Sequence, residues 1–474
     1  MVELAGRATE KDRLVTLLNA DTSHLVAVYG RRRVGKTFLI RNVYAKHIRF
    51  EIEGIHDGTY EDQLLNFGQC LARYAKSTIP IPPPSSWLEA FNQLAHYIAS
   101  IKSDRKKVIF FDEFPWFDTP RSRFLSAFAN FCNQVSSKRS DCIVVLCGSA
   151  ASYMILKVLH NRGGLHNRVT VRLRLDPFTL NEVEEYFSTR NLAFGQLDIL
   201  KFYMVLGGVP FYLKQIEKGK SFAQNIDRIC FAKDAILAKE FDHLFSSLFN
   251  HSENHIAIVR ALATVRSGLT RSTIIEKTKL PSGGSLTRIL EELIESAFVT
   301  RIFPFEADIK QSLYRLSDEF VLFHLKYMDK KRGRRSWTSI AQGQSWKSWS
   351  GFAFESVCFK HIRQIKQALQ ILGIDSEISS WTGSNEDQRA QIDLLIDRSD
   401  DIVNLCEIKF SNDLYSIKKR YYSDLKTKMQ VFSQSTQTRK NIHLILVTTF
   451  GLKENKYALE IVQQEIRLEQ LFLS

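Results

Sequence analysis

"VAVYGRRRVGKTFLI", residues 26–40, sets the architecture of the N-terminal half of the chain. The apolar run Leu25 to Tyr29 reads as a buried strand, and Phe38, Leu39, Ile40 and Val43 supply the apolar stripe of a helix. Between them stand Gly30, Arg31, Arg32, Arg33, Val34, Gly35, Lys36 and Thr37. A turn this cationic repels itself unless an anion sits in it. Gly30-x-x-x-x-Gly35-Lys36-Thr37 meets every fixed position of the phosphate-binding P-loop. The glycines let the backbone turn tightly, so that successive N–H groups point inward around a phosphate. The helix that follows adds the positive end of its dipole. Lys36 reaches the outer phosphates and Thr37 offers a hydroxyl to Mg²⁺. Residues 30–38, Phe38 included, are therefore expected to hold a nucleoside triphosphate.

A P-loop needs a partner that holds the metal and aligns water. "KKVIFFDEFPWF", residues 106–117, supplies it: Val108 to Phe111 read as a fully buried parallel strand that ends in Asp112-Glu113. Ligands of open α/β sheets sit at that carboxyl end. Asp112 is expected to bind Mg²⁺ through water, and Glu113 to orient and deprotonate the attacking water. An acidic pair there favours hydrolysis over passive holding of nucleotide.

With 474 residues the chain is long enough for about three domains. Its net charge of +14 and pI near 9.3 favour a polyanionic partner, nucleic acid ahead of an anionic membrane surface. No apolar run approaches the roughly 20 residues that span a bilayer, and "MVELAGRATEKDRL" is too charged for a signal peptide. Seven cysteines without a Cys-x-x-Cys pair read as core thiols of a reduced cytoplasm.

Residues 1 to about 180 alternate helical and strand patterns, the mark of a doubly wound parallel sheet. "DCIVVLCGSA", residues 141–150, is another buried strand, ending at Ser149, and "NRGGLHNRVTVRLRLDPF", residues 161–178, is a glycine turn feeding a basic strand. Helices over 181–219 break at "GGVP", residues 207–210. Together with "AGRATEKDRL", "YGRRRVGKT", "FFDEF" and "GGVPFYL", in this order, these elements resemble the archaeal-type ATPases, a prokaryotic branch of the AAA+/STAND P-loop proteins. The resemblance implies that Gly6 and Arg7 lie beside the adenine of ATP and that Ser149 senses the γ-phosphate. It also implies that Arg168 is the arginine finger, acting in trans in a homo-oligomer, and that Pro210 closes over the nucleotide from a helical lid. Asn167 departs from the glycine usual before that arginine, and Arg162 is the reserve candidate.

Residues 255–302 carry three short helical patterns, with Thr270 capping the second and Pro281 to Gly284 turning into the third. Two strands around a loop follow, as in a winged helix-turn-helix. Its third helix would enter the major groove through Ser282, Ser285, Thr287 and Arg288, residue types that promise little sequence specificity. The same fold also serves as an internal packing module. "KYMDKKRGRRSWTS", residues 326–339, is a basic linker.

Beyond it, residues 391–410 read as a β-hairpin. Asp393 lies on the first strand; Glu407 and Lys409, two apart on the second, face the same side. Clustered carboxylates with a lysine are what metal-dependent phosphodiester cleavage needs. Asp393…Glu407-x-Lys409, with Glu355 on the preceding helix and Gln430 on the following one, resembles the PD-(D/E)xK nuclease core. Asp393 and Glu407 would hold the metal.

The expectation is an α/β chain: a P-loop ATPase core (1–180), a helical lid (181–250), a winged helix-turn-helix (251–328), a basic linker (329–345) and a restriction-endonuclease-like domain (346–474). It would bind and hydrolyse ATP with Mg²⁺ and bind DNA. It would either cleave DNA under nucleotide control or act as a nucleotide-switched binding protein with an inactive tail.

Overall fold

The computed structural model describes residues 4–76, 82–103, 105–135, 139–149, 153–159, 165, 167–249, 251–306, 311–329, 336–341, 343–385 and 388–474. Arg162 and the basic run 330–335 lie outside them. The chain divides into two compact units, Met1–Pro177 and Phe178–Ser474.

In the first unit the apolar runs become strands: β1 (His24–Tyr29), β2 (Ile48–Glu53), β3 (Lys107–Asp112), β4 (Cys142–Gly148) and β5 (Val171–Arg174). They form one parallel sheet in the order β2-β3-β4-β1-β5. Successive side chains of a strand point to opposite faces, so a strand covered on both faces must be apolar throughout. Leu25 and Ala27 join Ile109, Phe111, Val144 and Leu146 in one core, which helices Tyr60–Ala75, Trp87–Ser100 and Phe124–Val135 cover. Val26 and Val28 join Val108, Phe110, Ile143 and Val145 in the other, against helices Ala8–Leu18 and Lys36–Val43. Ser86 caps Trp87–Ser100 by accepting the Glu89 N–H. Leu39 and Ile40 pack inward, whereas Phe38, read from sequence as part of the same stripe, is 45% exposed.

The second unit holds the segments expected to be lid, winged helix and tail. Helices Gln196–Leu206 and Pro210–Leu213 break at Gly207, as the sequence suggests. Helices Glu253–Leu262, Arg271–Thr278 and Gly284–Glu295 follow, with Thr270 accepting the Thr273 N–H as cap of the second. Eight strands make a single sheet: β6 (Leu269–Thr270), β7 (Val299–Pro304), β8 (Leu313–Leu316), β9 (Ser376–Ser384), β10 (Arg389–Arg398), β11 (Ile402–Lys409), β12 (Asn441–Thr448) and β13 (Gln464–Ile466). The short antiparallel set β6-β8-β7 continues into the C-terminal strands because β7 runs parallel to β9, with Phe303 opposite Ser379. One core extends from Phe178 through the three helices to Phe472. The opposite face of β10–β12 packs on helix Lys419–Thr436 through Leu425, Val431 and Phe432.

His361 joins distant parts of this unit. Its Nδ1 lies 2.7 Å from the Val357 carbonyl, and its Nε2 accepts the Leu180 N–H at 2.9 Å. That pattern requires the neutral ring, since a protonated Nε2 would face another donor. Burial pushes both His361 and His324 down to about 4. A base whose folded pKa is depressed stabilises the fold above its unfolded pKa, near 6.5, and loses that contribution as pH falls towards 4. We expect stability to fall over this window by roughly 1.4 kcal/mol per pH unit for each histidine. Urea unfolding at pH 7.5 and pH 5 will measure it, and His361→Gln, which cannot protonate, should show the shallower fall.

Candidate functional site

The carboxyl edge of the first sheet carries the phosphate-binding groups. Gly30 sits at φ 138°, and a Cβ there would lie 2.3 Å from the Leu175 carbonyl oxygen. Gly35 sits at φ 91° with nothing within 4 Å of a Cβ, so its backbone faces open space. Lys36 is buried and donates to the carbonyls of Gly30 (3.1 Å) and Arg31 (3.0 Å), which fixes its ammonium inside the loop. Arg31 and Val34 are buried, while Arg32 and Arg33 are partly open. The Thr37 hydroxyl donates to Asp112 at 2.8 Å, so the loop's metal ligand and the strand's carboxylate already share one place.

Because β4 lies between β1 and β3, its end stands between loop and acidic pair. Ser149, one residue beyond β4, donates to Glu113 from its hydroxyl (2.9 Å) and its N–H (3.2 Å). Glu113 itself is in the left-handed region at φ 44° and takes its N–H back to Asp112 (3.1 Å). Lys36, Thr37, Asp112, Glu113 and Ser149 thus form one constellation. A further carboxylate that motif reading missed, Glu53, ends β2 opposite Asp112. Burial, then Asp112 and Glu113, raise its pKa. The open backbone at Gly35, the buried lysine and the Thr37–Asp112 pair fit a nucleoside triphosphate with Mg²⁺.

The structure places the remaining implied residues as follows. Arg7 donates to the carbonyls of Asp176 (2.6 Å) and Val34 (3.3 Å) and pairs with Glu10, so it braces the loop against the segment after β5. Gly6 and Arg7 are both left-handed, at φ 65° and 61°. Arg168 is exposed and precedes β5 at the amino edge of the sheet, where the Thr170 N–H bonds Leu25 at the start of β1. The P-loop begins at the other end of β1, roughly 13 Å of strand away at ~3.3 Å per residue. Pro210 begins the helix Pro210–Leu213 of the second unit.

In the second unit the hairpin forms as read, with Leu394 opposite Cys406 on antiparallel β10 and β11. Pairing of β10 with β9 is irregular between Ile392 and Leu395, at Asp393; such bulges re-aim a side chain. Asp393 and Glu355 line one cavity of about 370 Å³ together with Arg266, Arg389, Gln391 and Lys428. Burial, then Asp393, push Glu355 up to about 7 against the pull of Arg315, Lys409 and Arg266. The motif's four residues therefore converge: Glu355 feels both Asp393 and Lys409, and Lys409 Nζ is 3.3 Å from Glu407.

Glu407, however, is buried at 5% exposure and both its oxygens are engaged. One accepts from Lys428; the other accepts from the Tyr421 hydroxyl (2.8 Å) and from Lys409. Burial alone would raise its pKa, but the two lysines and the tyrosine bring it below the usual carboxylate value. Among the described residues no group of three or more His, Cys, Asp or Glu is placed to hold a metal ion. Lys409 and Lys428 stand on the Glu407 oxygens, beside the place where the divalent metal expected at Asp393 and Glu407 would bind. Tyr421 and Lys428 come from helix Lys419–Thr436, two turns apart, a spacing that could have shown them sharing a face. Gln430, expected to assist, is exposed on that helix.

All seven cysteines are buried and free, and no helix among the described residues is long and apolar enough to cross a membrane. Residues 4–216 match a family described as an ATPase domain predominantly from Archaea, a stretch that runs from the first unit into the first helices of the second. An uncharacterized protein of Methanocaldococcus jannaschii is 24% identical over 441 residues, 90% of this chain and 91% of that protein. A Walker-type ATPase of Pyrococcus abyssi shares the fold, with a TM-score of 0.51 and 19% identity over 68% of this chain and 96% of its own. The loop, the acidic pair and the archaeal ATPase match together make the chain a P-loop ATPase.

Proposed function

We propose that the chain is a nucleotide-switched, DNA-binding ATPase. The observation that carries the ATPase half is the Thr37–Asp112 and Ser149–Glu113 pairing at one sheet edge. Bound ATP with Mg²⁺ supplies the transferable phosphoryl group and the charge that polarises it. Lys36 and the loop N–H groups hold the phosphates; Thr37 and Asp112 hold the metal. Glu113, steered by two Ser149 donors, takes the proton of the attacking water. Ser149, between the two elements, is the group that would feel the γ-phosphate. Arg168 serves the site of a neighbouring copy in a homo-oligomer, a reading supported by its place at the opposite edge of its own sheet. Gly6 and Arg7 lie beside the adenine while Arg7 braces the loop, and Pro210 belongs to the lid.

DNA as the partner is supported by the +14 charge and by the three-helix, three-strand segment 253–316. Ser282, Ser285, Thr287 and Arg288 are exposed at the first turn of Gly284–Glu295, whose Leu286, Ile289, Leu290 and Leu293 are buried. A second reading, a DNA-cleaving tail, is favoured by the convergence of Glu355, Asp393, Glu407 and Lys409. The engagement of Glu407 by Lys428 and Tyr421 weighs against it.

Lys36→Ala should weaken ATP binding at least tenfold, the equivalent of roughly 1.5–3 kcal/mol for a lost charge-assisted contact. Glu113→Gln should keep ATP bound and lower turnover by about 10²–10⁴. Titration with a fluorescent ATP analogue and a phosphate-release assay separate the two; equal turnover in Glu113→Gln and wild type would remove Glu113 as the base. Arg168→Ala should lower turnover while leaving ATP affinity unchanged, and mixing it with Glu113→Gln should restore activity if the finger acts across copies. Plasmid incubated with ATP and Mg²⁺ or Mn²⁺ should stay intact with the wild type. Nicking that Lys409→Ala abolishes would establish the cleaving tail instead.

A further inference from the structure

Two cavities of the second unit meet at one arginine. The larger, about 450 Å³, is walled by Arg260, Arg266, Lys326, Asp329, Trp349 and Phe352. The smaller is the cavity of about 370 Å³ that Arg266 shares with Glu355, Arg389, Asp393 and Lys428. Each is the size of a small-ligand pocket. Cations outnumber acids along their walls: Arg260, Arg266, Lys326, Arg389 and Lys428 against Asp329, Glu355 and Asp393. Asp329 is spent on Arg260, whose Nη2 lies 3.0 Å from its carboxylate. Lys326 and Arg389 make no ion pair among the described residues. The smaller cavity also holds two carboxylates: Glu355, 3.9 Å from Arg315, and Asp393, which accepts from Gln391 at 2.7 Å. What remains is an excess of cation at Lys326 and Arg266 in the larger cavity, with Arg389 beyond Arg266 in the smaller one.

Arg266 is exposed, yet it is not free to swing. Its guanidinium sits 5.5 Å from the Phe352 ring centroid and donates to the Ser348 carbonyl at 3.3 Å. A guanidinium held over an aromatic face keeps its remaining donors aimed in one direction, which suits phosphate oxygens. One phosphate would satisfy one cavity. Two cavities joined at a shared arginine suit a ligand whose anionic groups repeat along a flexible chain. A duplex carries its phosphates on a stiff outer surface and cannot descend into concavities of this size. A single strand can turn its backbone and bases into them, and basic grooves with aromatic walls are how such strands are held.

We propose that the joined cavities bind one strand of nucleic acid, with phosphates on Arg266, Lys326 and Arg389 and a base against the Trp349–Phe352 wall. This rests on the DNA-binding reading above and assigns the strand form and its place. Duplex contacts through Gly284–Glu295 are a separate surface, so each can be lost without the other.

The test is fluorescence anisotropy of the full chain with a labelled 20-nucleotide single strand, the matching duplex and a labelled mononucleotide, over a salt series. The variants are Arg266→Ala/Lys326→Ala and Arg266→Lys, with thermal melting and ATP turnover as controls for folding. The double variant should bind single strand at least tenfold more weakly, with a log–log salt slope shallower by about 1.4, two contacts at roughly 0.7 each. Its duplex affinity, melting and ATP turnover should match the wild type, and Arg266→Lys should recover part of the salt slope. A wild type that binds neither strand nor duplex overturns the DNA-binding reading itself. A wild type that binds duplex, with a double variant that holds single strand as tightly as the wild type, overturns only the cleft assignment. Binding of the mononucleotide without the strand overturns it as well.

Discussion

The hydrogen bond from Thr37 to Asp112 ties together the two elements on which the phosphate site depends. It spans from the helix after β1 to the end of β3, with β4 between them. The reach is possible only because all five strands are parallel and their carboxyl ends lie along one edge. Open α/β sheets bind ligands at that edge because the strand ends and helix N-termini there present unsatisfied N–H groups. Two apolar cores, one on either face, hold the strands that carry this edge. Ser149 and Glu113 extend the same logic. The strand that separates loop from acid also delivers the hydroxyl that orients the acid.

Electrostatics divide the two candidate sites. In the first, a buried lysine and a carboxylate sit apart, each bonded to neutral groups, which leaves charge for a ligand. In the second, opposite charges have already met. Glu407 is compensated by Lys409 and Lys428, and burying a carboxylate without such partners would be costly. The surplus cations, Arg266, Lys326 and Arg389, line the cavities instead.

In the second unit the segments share one sheet and one core. The β7–β9 pairing carries one sheet from the three-helix segment into the C-terminal strands, and His361 ties Leu180 to the helix that bears Glu355.

The sequence by itself determined the first site almost residue by residue. Phosphate binding by a loop needs glycine, lysine and threonine at consecutive local spacings, and a buried strand ending in acids announces itself as an unbroken apolar run. The hairpin with Asp393, Glu407 and Lys409 was legible for the same reason: a period of two and a tight turn are local. What only the tertiary structure decided is which groups meet across distance. Strand order, the insertion of β4 and the joining of β7 to β9 depend on long-range pairing that no local pattern encodes. Phe38 fell off the buried stripe because one position of helical phase separates an inward residue from an outward one. Lys428 and Tyr421 are ordinary residues of an amphipathic helix until packing sets them on Glu407. A carboxylate's role as metal ligand or ion-pair partner follows from its neighbours in space, and those are fixed by the fold.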